Sequence, residues 1–321
     1  MSRKMKLLIG YDGSDCAEAA LDDLQRAGLP ADVEALVMSV AEAWLPAPPQ
    51  SAYELVEHTM EVHAPADLTR VYAKDSATVK NAEQLAERAA RRLQAKFPGW
   101  RVTSDTSCGS PAWELIKRAD EWKPDLVVVG SHGRTALGRL ILGSISQRVV
   151  TEAHCSVRVA RGRIEEAETP VRIVAGIDGS PRSELAVREI AARSWPPKSE
   201  ARLIVVDDPL VPRAVGKLIP PLTEAIDENY EEERHWAEDV LENYATLLEP
   251  SGMKVMKQIA HGDPKRVLVE AAEQWGVDCI FVGSIGFSNR LERFILGSIS
   301  ASVVAHAHCS VEVVRKQTRE A

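Results

Sequence analysis

LGRLILGSISQRVVTEAHCSVRVAR, residues 137–161, returns at residues 291–315 as LERFILGSISASVVAHAHCSVEVVR, with 17 of 25 positions identical. A chain that repeats itself this closely is built from duplicated units, so the fold of one half is the fold of both. The match extends outward from that stretch. GSPAWELIKRADEWKPDLVVVGS (109–131) reappears as GDPKRVLVEAAEQWGVDCIFVGS (262–284), and KLLIGYDGS (6–14) as RIVAGIDGS (172–180). The offset is 166 residues at the front and 153 to 154 at the back, so the second copy is shorter in its middle. GRIEEAETP (162–170), charged and ending in proline, suits an exposed linker between domains at 1–162 and 169–321.

The order of elements follows from patterning. Each half opens on a short apolar run, Leu7 to Ile9 or Ile173 to Ala175, followed by a DGS turn and a helix capped by Ser14 or Ser180. A second strand follows (34–40; 202–206), then a divergent middle ending in a charged helix, AEQLAERAARRLQAKF or NYEEERHWAEDVLENYATLL. A third strand (RVTSDTSCG, KVMKQIAHG), a helix opening at Pro111 or Pro264, a fourth strand (DLVVVGS, DCIFVGS), one more helix and a last strand (CSVRVAR, CSVEVVR) complete the half. Strands that alternate with helices and are apolar throughout imply a parallel sheet covered on both faces. The expected architecture is α/β, with two homologous doubly wound domains.

Composition narrows the function. The 321 residues are 45% hydrophobic and 27% charged, as in a water-soluble protein, and no apolar run reaches membrane-spanning length. MSRKMKLLIGYDGS runs straight into a candidate strand and not into a leader, so the chain is expected in the cytoplasm. A net charge of -8 argues against general attraction to nucleic acid or an anionic membrane. Five scattered cysteines without a CxxC pair fit reduced thiols and not a disulfide framework or zinc site.

The glycine stretch GSHGRTALGRLILGSIS (130–146) begins at the carboxyl end of the fourth strand, where doubly wound sheets bind ligands. Gly130 and Gly133 let backbone approach a ligand, and Gly143 with Ser144 starts a helix whose unpaired N–H groups suit phosphate. Ser144 and Ser146 offer hydroxyl donors, while Ile145, Val149 and Val150 turn toward the core. The bland alternative is a tight strand-to-helix connection. Two features favour a ligand. The pattern returns as GSIGFSNRLERFILGSIS (283–300), and each half carries an aspartate, Asp12 or Asp178, at the end of its first strand, where a carboxylate can accept from ribose or adenine.

The DGS turn, the GxxG-nine-GS block and the closing CSVxV strand, present in both halves, resemble the universal stress protein family in its tandem form. The resemblance implies a five-stranded parallel sheet in each domain and binding of ATP or AMP, with Mg as an accompanying ion. It implies Asp12 and Val40 at adenine and ribose, Val129 and Gly130 bordering the nucleoside, and Ser131, His132 and Gly133 along the loop. Gly143, Ser144, Ile145 and Ser146 would hold phosphates. The second-half matches are Asp178, Val206, Val282, Gly283, Gly286, Gly297, Ser298, Ile299 and Ser300. It further implies a regulatory stress-response role, internal pairing of the domains across the last strands, homodimerisation as a further route, and a protein partner that the sequence does not name. The runner-up is an interaction scaffold of the same fold without nucleotide. A dedicated enzyme is disfavoured beyond slow ATP hydrolysis, because there is no SGGxDS loop, HxGH motif, Walker lysine or GxSxG.

The second copy departs from the pattern. Ten residues separate Gly286 from Gly297, Phe287 follows Gly286, and Asp207 and Asp208 add negative charge after the second strand. Ser156 and Ser310 stand where the family often carries proline. The first site is therefore the better candidate. His132 has no counterpart in the second half, where Ile285 stands. The repeated pairs His154-Cys155 and His308-Cys309 are read as strand residues on opposite faces, a poor chelate. Arg134, Arg139, Arg290 and Arg293 read as a solvated face, DENYEEERHWAEDVLENY as a wet helix, and WLPAPPQ (44–50) as a flap near the first site.

Overall fold

The computed structural model describes residues 4–42, 77–132, 142–161, 169–207, 220–284 and 296–316, with backbone alone for 220–230. The expected flap, linker residues 162–168, Gly133, Gly286, Phe287, Asp208 and the four arginines of the glycine blocks lie outside the described residues.

The first half runs β1 (Met5–Gly10), α1 (Asp15–Asp23), β2 (Val33–Ala41), α2 (Ala77–Lys96), β3 (Arg101–Cys108), α3 (Pro111–Trp122), β4 (Leu126–Gly130), α4 (Ser144–Glu152) and β5 (Ser156–Ala160). The second repeats that order as β6 (Arg172–Ile177), α5 (Pro181–Ala191), β7 (Glu200–Asp207), α6 (Pro220–Leu248), β8 (Lys254–His261), α7 (Pro264–Trp275), β9 (Cys279–Gly283), α8 (Ser298–His306) and β10 (Ser310–Val314). Strand order in each half is third, second, first, fourth, fifth, all parallel. The chain therefore reverses direction across the sheet between β1 and β4, and again between β6 and β9. Such switch points leave a crevice at the strand ends.

The two five-stranded sheets do not stand apart. β5 and β10 pair antiparallel, Val157 opposite Val313 and Val159 opposite Val311, and merge the halves into one ten-stranded sheet. Ser156 and Ser310 close this seam. Arg161 N donates to Ser310 Oγ at 2.9 Å, and Arg315 N donates to Ser156 Oγ at 3.1 Å.

Side-chain alternation along the seam separates two environments. Val157, Val159, Val311 and Val313 join one apolar cluster that runs through both halves. On the opposite face the apolar core splits into one cluster per half. Between them lie Arg158 and Glu312, register partners that are 1% and 0% exposed. Arg158 Nη1 lies 3.2 Å from Glu312 Oε2, and its Nε donates to Asp23 Oδ2 at 2.6 Å. Arg193 holds the other side of Glu312 and also donates to the Ala27 carbonyl at 3.0 Å. Ser310 Oγ donates to Asp23 Oδ1 at 2.7 Å. A buried charge is tolerated only when it is paired and hydrogen-bonded, and this network supplies both. Burial works to lower the Arg158 pKa, but Asp23, Cys279 and Glu312 more than offset it and raise it well above the ordinary value.

Two sequence expectations need correction. β3 and β8 are not apolar throughout; they are the outer edges of the sheet, with half-buried and exposed side chains. His154-Cys155 and His308-Cys309 precede their strands instead of lying on them; both cysteines are buried, and His154 Nδ1 meets Asp120 Oδ1 at 2.6 Å.

Candidate functional site

The DGS turn is the first framing element. Gly13 and Gly179 take φ of 75° and 70°, a left-handed conformation open to glycine at no steric cost. The turn returns Ser14 N to Asp12 Oδ1 and Ser180 N to Asp178 Oδ1, both at 3.0 Å. Ser14 Oγ then accepts from Ala17 N, and Ser180 Oγ from Ser183 N, each at 3.2 Å, capping the helix that follows. Each aspartate therefore has a structural duty, with one oxygen holding the turn that presents it at the strand end.

The glycine block is the second. A Cβ on Gly130 would meet the Cys16 carbonyl carbon and oxygen at 2.9 Å, and one on Gly283 would meet the Arg182 backbone at similar distance. Close packing against the α1 backbone therefore requires glycine at 130, the same residue that lines the cavity at this strand end. Gly143 N donates to the Ser131 carbonyl at 2.8 Å, and Ser146 Oγ donates to the Gly130 carbonyl at 2.6 Å. Ser300 repeats the latter bond to Gly283 at 2.6 Å. The Ser146 and Ser300 protons are thus committed to the strand end and fasten the helix start to it.

What these bonds leave open is the helix start itself. Gly143 and Gly297 are the N-cap residues of α4 and α8, and neither helix has a side-chain cap. The first backbone N–H groups of a helix have no intrahelical acceptor, and the helix dipole adds partial positive charge there.

These parts converge on a cavity of about 480 Å³ in the first half. Asp12, Val40, Val129, Gly130, His132, Gly143, Ser144, Ile145 and Ser146 line it, while Ser131 is buried behind it with its hydroxyl 3.0 Å from His132 Nδ1. Its apolar walls come from β2 (Met38, Val40, Ala41), α2 (Ala82, Leu85) and α3 (Pro111, Leu115); Asp12 and Glu42 bring carboxylates, and the α4 start brings N–H donors. The sequence reading missed Tyr11, Met38 and the α2 residues Thr78, Asn81, Ala82 and Leu85. The α2 face was visible as spaced apolar residues, but nothing in its spacing says that one end passes the core and walls a cavity.

The second cavity, about 260 Å³, brings together Asp178, Val206, Val282, Gly283, Gly297, Ser298, Ile299 and Ser300. Trp236 packs on its turn, where a Cβ on Gly179 would lie 2.5 Å from the indole. Among the described residues no group of three His, Cys, Asp or Glu side chains is arranged to hold a metal ion, and no helix is long and apolar enough to cross a membrane.

Comparison with known proteins agrees with this architecture. The profile of the universal stress protein family matches residues 5–161 and again 171–315. A universal stress protein of Methanocaldococcus jannaschii is 28% identical over 158 residues, 49% of this chain and 81% of that protein. The crystal structure of a universal stress protein from Archaeoglobus fulgidus is similar in fold over 98% of this chain and 97% of its own, with a TM-score of 0.59 at 19% identity. Duplicated sequence, duplicated strand order and two family matches lead to one statement: this chain belongs to the universal stress protein family and carries two of its domains in tandem.

Proposed function

We propose that the first-half cavity binds an adenine nucleotide, ATP or AMP, and that its occupancy regulates how this cytoplasmic protein engages a protein partner in a stress response. The observation that carries the reading is the side-chain-uncapped start of α4 opening onto a cavity with an apolar wall and a carboxylate, Asp12, at its strand end. The apolar wall suits a base, Asp12 suits ribose hydroxyls or the adenine amine, and the N–H groups of Ser144 and Ile145 suit phosphate oxygens. Mg2+ would arrive on the phosphates. The role proposed for the site is nucleotide binding, with slow ATP hydrolysis at most.

Size favours the first half. Small-molecule sites span about 300–1,000 Å³. The first cavity, about 480 Å³, falls inside that range, and the second, about 260 Å³, falls below it. We assign the nucleotide to the first half and a scaffold role, pairing with the first half and with partners, to the second. Calorimetric titration of nucleotide-free protein with ATP and magnesium tests this. One site per chain is expected; two would restore the second half as a nucleotide site, and none would leave the scaffold reading for the whole chain.

A further inference from the structure

Cys16 occupies the second position of α1, beside the first-half cavity, and its Sγ lies 3.1 Å from His132 Nε2. The histidine ring is held from its other side by Ser131 Oγ, 3.0 Å from Nδ1, and the same hydroxyl donates to Cys16 Sγ at 3.8 Å. Ser131 has one proton. Donated to sulfur, it leaves the serine oxygen to accept from Nδ1–H, which makes Nε2 the basic nitrogen facing the thiol. Nucleophile, base and orienting group are then in sequence.

A second observation comes from a different element. Arg161, just past β5, has a buried Nη1 with no hydrogen-bond partner among the described residues, although its Nη2 donates to the Val304 carbonyl at 2.6 Å. Burial lowers the Arg161 pKa, and the Cys309 and Cys16 thiols partly oppose that, so the guanidinium is within electrostatic reach of Cys16. The second half makes the contrast. Position 182 there is arginine, and it is Arg182 that Arg315, the counterpart of Arg161, senses as a like charge. A sulfur anion at Cys16 would meet a cation, an imidazolium and the α1 start, where helix N–H groups favour negative charge. Asp15 and Glu18 in the same turn oppose it, though Glu18 is engaged by Tyr11, Arg88 and Arg92.

We propose that Cys16 is a peroxide-reactive thiol, activated by His132 and oriented through Ser131, that makes the first half redox-sensitive. His132 Nε2 takes the thiol proton. The sulfur lone pair attacks one oxygen of hydrogen peroxide, the O–O bond breaks, and the departing hydroxide takes the proton from the imidazolium as water. Sulfur is oxidised by two electrons to sulfenic acid, and peroxide is reduced to water. The other cysteines lack this arrangement. Cys155, Cys279 and Cys309 are buried, with burial pushing Cys155 up to about 12 and Cys279 higher still. Cys108 is partly exposed, and its thiol is pushed up by burial and by Glu114.

Cys108 therefore serves as an internal reference. Fully reduced, nucleotide-free protein is treated with limiting iodoacetamide, and the rate at each cysteine is read by peptide mass mapping between about pH 5 and 8. Cys16 is expected to react at least about tenfold faster than Cys108. His132→Ala is expected to remove most of that ratio and leave the Cys108 rate unchanged, which also reports that the fold is intact. Hydrogen peroxide followed by dimedone is expected to place the adduct on Cys16. Equal rates at Cys16 and Cys108 in the wild-type protein, an unchanged ratio in His132→Ala, or no dimedone adduct at Cys16 would each overturn the proposal. No nucleotide enters the experiment, so its result stands apart from that of the calorimetric titration.

Discussion

The cavities of the two halves are framed by the same turn and the same helix start, yet one measures about 480 Å³ and the other about 260 Å³. The frame repeats because backbone geometry dictates it. Gly13 and Gly179 sit at positive φ, Gly130 and Gly283 admit a crossing helix, and Ser146 and Ser300 tie that block to the strand end. The contents differ because side chains there are less constrained. Cys16 and His132 stand in the first half where Arg182 and Ile285 stand in the second. At the seam the constraint works in the other direction: equivalent positions must differ. Arg158 and Glu312 occupy the same place in their halves and face one another. Two first halves joined this way would bury arginine against arginine, and two second halves glutamate against glutamate. The duplicated chain has become complementary to itself.

The largest effect should come from breaking that complement. Glu312→Ala leaves Arg158 and Arg193 buried without their shared carboxylate, and loss of about 3–5 kcal/mol is expected in urea unfolding. A loss below about 1 kcal/mol would mean that water or another carboxylate serves the arginines equally well.

Much of this was legible in the sequence. The repeat gave both halves, the apolar runs gave the inner strands, and the DGS and GSIS signatures located the turn and the helix start. Pairing across the last strands was expected from the family resemblance, but the charged contact inside that seam was not legible, because Arg158 and Glu312 look like outward residues of an alternating strand until a second strand is placed beside them. The α2 wall and the Cys16–His132 contact likewise join residues far apart in the chain, and no local pattern encodes such a meeting.

Next in size is a paired test of the glycine block. Gly130→Val and Gly283→Val each force a side chain into a crossing helix and should cost about 1–3 kcal/mol. Only Gly130→Val should also abolish ATP binding in calorimetry. Equal loss of binding from both would contradict the assignment to the first half.

Smaller still are the caps. Ser14→Ala and Ser180→Ala should each cost about 1 kcal/mol by thermal or urea unfolding, and similar costs would show that the turn does the same work in both halves.

The smallest effect should have the opposite sign. Glu189, counterpart of Asp23, has its carboxyl raised above the ordinary 4.5, mainly by burial, with Arg193 opposing and Glu312 adding. The folded chain then holds that proton more tightly than the unfolded one, so stability falls as pH rises from the ordinary range through the raised value. Glu189→Gln removes that loss. A slightly higher melting temperature at neutral pH, vanishing below the ordinary carboxylate range, is the expected result, whereas destabilisation at neutral pH would show that Glu189 belongs to the seam as Asp23 does.

The most direct test of the central claim is photolabelling of the wild-type protein with 8-azido-ATP, competed by excess ATP and mapped by mass spectrometry. The first-half assignment predicts ATP-sensitive label on peptides of the apolar wall, residues 38–42 or 78–85. Label confined to second-half peptides, or label that ATP does not displace, would contradict it.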